Sequence, residues 1–175
     1  MSIQQRTDEA FESLAHAAMD SLCSDFSFRC TASSSSAVRY ESATVFCEVG
    51  HETRDSEVFA RIGRLGVAGV SPDQTTERLD LGLFLAVADF VAHQALYREV
   101  PYACAVDERQ MQRVLSHFAS GLRRYGAGLL VGDSDTYTAA RKLTFLDVPM
   151  IRVEHHSGAA TPTEQSSDEQ TTFAL

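Results

Sequence analysis

Two stretches in which apolar and polar residues alternate constrain the fold of this chain more than any other feature. They cover residues 43–49 and 57–65, and their period of two is that of a β-strand with one buried face. The residues between them, 50–56, are mostly polar and predict a hairpin loop, with Gly50 at the strand exit because glycine takes a positive φ without steric cost. We therefore expect two antiparallel strands joined by a polar, acidic tip.

The chain before this hairpin predicts one helix and one or two further strands. Apolar residues at helical spacing indicate a helix over residues 7–22, and alternation over residues 25–31 indicates a short strand. The side of that strand expected to be buried carries Phe26, Phe28 and Cys30. The serine run 33–36 has no apolar anchor and predicts a mobile loop, after which residues 38–42 indicate another strand.

Helical patterns dominate the part of the chain after the hairpin. They cover residues 81–88, 90–97 and 107–125, with a final helix over about 134–143. The longest of these, 107–125, has Asp107 as its N-cap and one continuous apolar stripe. A helix, three to four strands and then three to four helices predict an α+β fold, in which the C-terminal helices pack on one face of an antiparallel sheet.

The domain organisation follows from length and from the composition of the C-terminus. A chain of 175 residues suits one domain, which we place at residues 1–153. Residues 154–175 are acidic and polar, rich in Ser and Thr and nearly free of apolar side chains before Phe173, and they predict a disordered tail.

Charge and cysteine usage narrow the classes of partner and compartment. The net charge of −9 disfavours binding to nucleic acid through its phosphates and favours a basic protein partner. No run of apolar residues approaches a membrane span and the N-terminus has no signal pattern, so we expect no membrane association and a cytoplasmic location. The four cysteines form no CxxC pair, which favours free, buried thiols in a reducing compartment.

Motifs that carry chemistry are missing from the sequence. The pair His51-Glu52 lacks the second histidine of HExxH, and neither a G-x-S-x-G elbow nor a glycine-rich phosphate loop is present. We therefore expect no catalytic residues, no metal and no cofactor, and a protein that is not an enzyme. One alternative stays open, in which Cys104 meets His93 or His117 and an acid in space.

The hairpin tip is the remaining candidate site. Five side chains that can accept hydrogen bonds or bind positive charge gather around one turn, with Arg54 among them. The predicted binding residues are Glu48, His51, Glu52, Asp55 and Glu57. An acidic loop of this kind speeds association with a basic protein surface and selects among partners.

Two segments carry a resemblance to a known group of proteins. The first is VRYES…VFCEV through EV…GRLG over residues 38–66, and the second is LRRYG…LLVGD over residues 122–133. Both resemble small uncharacterised bacterial proteins that are similar to immunity proteins of bacterial toxin systems. The resemblance implies a protein partner, such as a toxin or effector. It implies no catalytic residues, because the group has none that are established.

These observations lead to one expected function and two alternatives. We expect a non-enzymatic protein-binding factor, immunity-like or an adaptor, that meets its partner through an acidic surface. The first alternative is a chaperone-like homodimer that holds a secreted substrate on an apolar sheet face, for which Phe46 and Phe59 would have to be exposed together. The second alternative is a small enzyme with a Cys/His site.

Overall fold

The computed structural model describes residues 3–66 and 78–145, and it confirms the predicted α+β class. One helix precedes a five-stranded antiparallel sheet, and the other helices follow it. The strands, in their order across the sheet, are β1 (Arg29–Ser33), β2 (Ala37–Glu41), β3 (Val45–Glu52), β4 (Glu57–Arg64) and β5 (Leu79–Asp80). The helices are α1 (Ile3–Phe26), α2 (Leu81–Ala88), α3 (Phe90–Glu99), α4 (Glu108–Tyr125), α5 (Ala127–Leu130) and α6 (Ser134–Phe145).

The predicted tail, the number of strands and the expected lack of a membrane span are compared with the structure in turn. The predicted tail at 154–175 lies outside the described residues. The sheet has one strand more than the three to four expected, because the two-residue strand β5 pairs with β4 through Arg61 and Ile62. None of the helices in the described ranges has both the length and the apolar character needed to cross a membrane.

The N-terminal helix is longer than its prediction, and this displaces the first strand. Helix α1 continues past Leu22 because Cys23 and Phe26 extend its apolar stripe and pack, partly buried, against the core. The predicted strand at 25–31 is therefore wrong in position, since Phe26 ends the helix and the strand begins only at Arg29. All five residues of β1 are exposed, including Cys30, which was expected to be buried.

The serine run between β1 and β2 forms a structured turn. The Ser34 amide donates a hydrogen bond to the Ala37 carbonyl at 2.9 Å, and the Ser34 hydroxyl accepts one from the Ala37 amide at 3.1 Å. Serine hydroxyls stabilise turns by bonding the nearby backbone in this way. The predicted mobile loop is thus a hydrogen-bonded turn, which also connects the edge strand to the sheet.

The central hairpin has longer strands and a shorter turn than predicted. Residues 50–52 continue β3, and only residues 53–56 form the turn. Gly50 does not take a positive φ, since the glycines that do so in the described ranges are Gly66 and Gly132. Its role is steric, because a side chain at position 50 would overlap the ring of Phe59 on the neighbouring strand.

The hydrophobic core lies between one face of the sheet and the helices. The alternation in β3 and β4 places Val45, Cys47 and Val58 on this inner face, where each is at most 2% exposed. Helix α1 packs on β2 and β3, and helices α2 and α4 pack on β4. The apolar stripe of α4 is buried, and Asp107 caps this helix by accepting a hydrogen bond from the Gln110 amide at 2.8 Å. One core cluster thereby holds α1, α2 and α4 against the same face of the sheet.

The outer face of the sheet carries charged side chains above two phenylalanines. Arg39, Glu48 and Arg61 lie opposite one another across three strands, which is a row of alternating charge. The guanidinium of Arg39 lies 4.2 Å from the centre of the Phe46 ring, and that of Arg61 lies 4.3 Å from the Phe59 ring. Phe46 is consequently only 3% exposed, so the two rings do not form an open apolar face.

Candidate functional site

Three of the five predicted binding residues lie together on the exposed hairpin tip. Glu52 and Glu57 face each other in the last residue pair of β3 and β4, and Asp55 lies in the turn that joins the strands. All three side chains are exposed, with the exposed Arg54 beside them. Like charges at directly opposed strand positions destabilise a hairpin, so the stability of the fold does not account for this arrangement.

His51 is not part of this tip, and the prediction that placed it in the loop is wrong. It belongs to β3, where side chains alternate between faces, and it points to the inner face while Glu52 points out. It is 2% exposed and its ring stacks on Phe11 of α1, with 5.9 Å between the ring centres. A side chain buried to this extent is not available to a partner at the tip.

Glu48 also lies outside the tip, on the charged outer face of the sheet. Its carboxylate is 3.5 Å from the guanidinium of Arg39 and 3.8 Å from that of Arg78. The side chain is half-buried between these two cations. Glu48 therefore has its charge matched within the fold, and only Glu52, Asp55 and Glu57 are left as an open acidic group.

A second segment of the chain packs against the hairpin tip. Residues Pro101–Ala103 form a 3-10 turn after α3, and Cys104 then forms an isolated antiparallel bridge with Glu57. The Ala105 amide donates a hydrogen bond to the Ser56 carbonyl at 2.8 Å. These bonds hold the segment beside the tip, where Tyr102 and Val106 remain 65% and 59% exposed.

The backbone at this junction contains three left-handed residues that are not glycine. Ser56, Tyr102 and Ala103 have φ values of 55°, 54° and 56°. Each such residue costs on the order of 1 kcal/mol, because its Cβ approaches the following carbonyl oxygen. Strain of this kind concentrates at functional sites. Here it presents the side chain of Tyr102 to solvent, with the Tyr102 ring centre 6.5 Å from that of Tyr97.

The three exposed acids of the hairpin and the two exposed side chains of the neighbouring segment form one surface. We call it the tip surface, and its residues are Glu52, Asp55, Glu57, Tyr102 and Val106. Its chemistry combines an exposed aromatic ring with three carboxylates, and the described hairpin turn supplies one base, Arg54, beside them. Tyrosine is enriched among residues that contribute most to binding at protein interfaces. Acids around such a ring complement a partner that is basic at the contact.

Cys104 lies at this junction but lacks the environment of a nucleophile. Burial, together with the Glu57 and Asp55 carboxylates, raises the pKa of its thiol. A reactive cysteine needs the opposite, since the thiolate is the nucleophilic form. The hydrogen bond that its thiol makes in the described structure goes to the Tyr102 carbonyl, at 3.7 Å.

His93 and His117 contact each other rather than Cys104 in the described structure. Nδ1 of His93 lies 3.4 Å from Nε2 of His117, and burial lowers the pKa of His93 to about 4. The pair therefore has no thiol to deprotonate. Metal binding has no better support, since among the residues described no three His, Cys, Asp or Glu side chains come together as ligands.

Comparisons with known proteins found no matching family model, and no matching curated protein or solved structure. The resemblance to immunity proteins of bacterial toxin systems therefore stays a prediction. Tyr102 and Val106 were missed in the sequence because they lie between a proline and a helix cap, in a segment without periodicity. The signal that locates them is the bridge from Glu57 to Cys104, which only the folded chain contains.

Proposed function

We propose that this protein is a non-enzymatic binding factor that docks a basic protein partner through the tip surface. The observation that carries the proposal is the bridge between Glu57 and Cys104, because it joins the hairpin acids to the exposed Tyr102. Neither segment alone would make an interface. Together they supply a ring that can enter a pocket and charges that orient the approach.

Electrostatics supports the choice of a basic partner. The whole chain carries a net charge of −9, so long-range attraction draws in positively charged molecules and repels acidic ones. The tip acids then act at short range, where they reject partners that place carboxylates opposite them. A toxin or effector with a basic surface fits this description, in an immunity-like or adaptor role.

A cytoplasmic location is part of the same proposal. Cys23, Cys30, Cys47 and Cys104 are all free thiols. Exposed thiols such as that of Cys30 persist in a reducing compartment and are oxidised or paired outside it. The chaperone-like homodimer is less favoured, because arginine side chains lie over Phe46 and Phe59 and leave no open aromatic face.

Affinity capture from the native host tests the proposal with a matched pair of charge reversals. The tip variant carries Glu52→Lys and Asp55→Lys, and the control carries Asp20→Lys and Asp135→Lys at exposed positions of α1 and α6. Both change the net charge equally. We expect partners of the wild-type protein to be captured by the control and lost by the tip variant and by Tyr102→Ala. Capture of the same partners by all forms would remove the tip surface from the proposed function.

A further inference from the structure

The solvent-facing side of α4 carries two parallel rows of side chains that donate hydrogen bonds. A spacing of four residues places side chains one above the other on a helix face. The first row is Arg109, Arg113 and His117, and the second row is Gln112, Ser116 and Ser120. Rows of donors alone form an ordinary solvated helix face, but here a second helix lies opposite them.

Helix α3 lies opposite these rows, and the two helices border an open groove of about 620 Å³. It contributes Ala95 and Leu96 as an apolar wall and Glu99 at the rim, while all six α4 side chains line the other wall. Binding sites for small molecules commonly combine an apolar wall with a few converging polar groups. The groove therefore accommodates a molecule with an apolar body and several hydrogen-bond acceptors.

The charge in the groove is positive, although the chain as a whole is acidic. Arg113 forms an ion pair with Glu99, whereas Arg109 is exposed and pairs with no carboxylate in the described parts of the chain. Arg109 also lies in the first turn of α4, where the partial positive charge of the helix N-terminus disfavours a cation. The positive charge of Arg109 thus destabilises the helix N-terminus, and an anion bound in the groove would be attracted by both.

His117 lines the groove, and its ring contacts the buried His93. Burial lowers the pKa of both imidazoles, although the carboxylate of Asp89 partly opposes this for His117. Both rings are therefore neutral near neutral pH, and Nδ1 of His93 lies 3.4 Å from Nε2 of His117. The Ser120 hydroxyl donates to the His117 carbonyl at 3.2 Å, which leaves Gln112 and Ser116 as the uncharged donors for a ligand.

We infer that the groove between α3 and α4 binds a small organic oxyanion, a carboxylate or a phosphate ester, through Arg109 and Arg113, with its apolar body against Leu96. A planar guanidinium binds either kind of oxyanion with two parallel hydrogen bonds. Glu99 competes with the ligand for Arg113 and so limits the affinity. This inference is independent of the tip surface, because it uses none of its residues.

Titrations monitored by backbone amide NMR test the inference with three defined probes: inorganic phosphate, phenyl phosphate and benzoate. We expect saturable shifts in α3 and α4, with phenyl phosphate or benzoate binding more tightly than inorganic phosphate because of the apolar wall. The relative affinity of the two aromatic probes shows which oxyanion the groove prefers. Absence of saturable binding of both aromatic probes at millimolar concentrations would overturn the inference.

Three variants separate a specific site from general attraction to a cation. Arg109→Gln should weaken binding about tenfold or more, since a charged hydrogen bond is lost. Arg98→Gln removes an exposed arginine of α3 that does not line the groove, and it should leave binding unchanged. Glu99→Gln should strengthen binding by freeing Arg113. Equal losses in the two arginine variants, or weaker binding in Glu99→Gln with unchanged thermal unfolding, would refute the site.

Discussion

Gly50 and Phe59 face each other across β3 and β4, and the ring of Phe59 occupies the space above the glycine. A methyl group at position 50 would have to displace this ring from under the guanidinium of Arg61. We therefore expect Gly50→Ala to lower the free energy of unfolding by about 1–3 kcal/mol, the usual cost of overpacking.

Urea denaturation of a double-mutant cycle checks the cause of this loss. In a Phe59→Ala background the ring is gone, so Gly50→Ala should cost much less than it does in the wild-type protein. An equal cost in both backgrounds would mean that the ring is not the reason for the glycine.

The opposed carboxylates of Glu52 and Glu57 lead to a prediction in which stability and binding change in opposite directions. Glu52→Lys replaces a like-charge pair by an opposite-charge pair and should raise the free energy of unfolding by about 0.2–1 kcal/mol. The gain should shrink at high salt because the pair is exposed. Asp20→Lys, at an exposed position of α1, is the reference for the change in net charge. A destabilised Glu52→Lys protein would contradict the assigned pairing.

The buried His93 makes stability depend on pH in a defined direction. Its folded-state pKa is about 4, and the unfolded value is about 6.5. Between these values the unfolded chain binds a proton that the folded protein does not, so the free energy of unfolding falls as the pH falls. His117 and Tyr97, which contact the ring, offer no carboxylate to stabilise a protonated His93.

The expected loss attributable to His93 is on the order of 1–3 kcal/mol across this range. Urea denaturation at several pH values, compared between the wild-type protein and His93→Leu, measures it. The variant should show a shallower dependence on pH because its side chain does not titrate. Identical slopes for the two proteins would place the dependence on other groups.

The left-handed backbone at Tyr102 predicts an unusual order of stability. Tyr102→Gly should be more stable than Tyr102→Ala by about 1 kcal/mol, because glycine takes a positive φ without strain. Val106 lies nearby on the same surface without a positive φ, and there the alanine variant should be the more stable one. Thermal unfolding of the four variants decides the point. If the alanine variant is more stable than the glycine variant at position 102 as well as at position 106, Tyr102 is unstrained.

The sequence pattern was most informative where one period continued over a long stretch. The stripe on α4 assigned Leu115 to the core correctly. The alternation in β3 and β4 grouped Val45 with Cys47 on one face, but it left open whether the helices cover that face or the opposite one. The pattern was least informative at boundaries. Whether His51 ends a strand or begins a loop depends on how far β4 pairs with β3 towards the turn, and the polar residues 52–57 carry no alternation that marks where this pairing stops.

The candidate site depended on a contact between parts of the chain that are distant in sequence. The acids Glu52, Asp55 and Glu57 could be named from the sequence because charge at a hairpin turn is a local property. The contribution of Tyr102 could not, because it requires the bridge to Glu57 and a backbone conformation that tyrosine rarely adopts. The groove beside α4 lies between these cases: its donor rows are visible in the sequence, whereas its apolar wall is not.

The edge strand β1 affects whether this protein forms fibres at high concentration. Five exposed residues at the border of a sheet are a template on which a strand from another molecule can polymerise. The register between β1 and β2 shifts between Cys30 and Ala32, which twists this border, and Ser33 is tied to His16 of α1 at 3.0 Å. The sheet therefore stops growing at β1, and we expect the protein to resist fibre formation at high concentration.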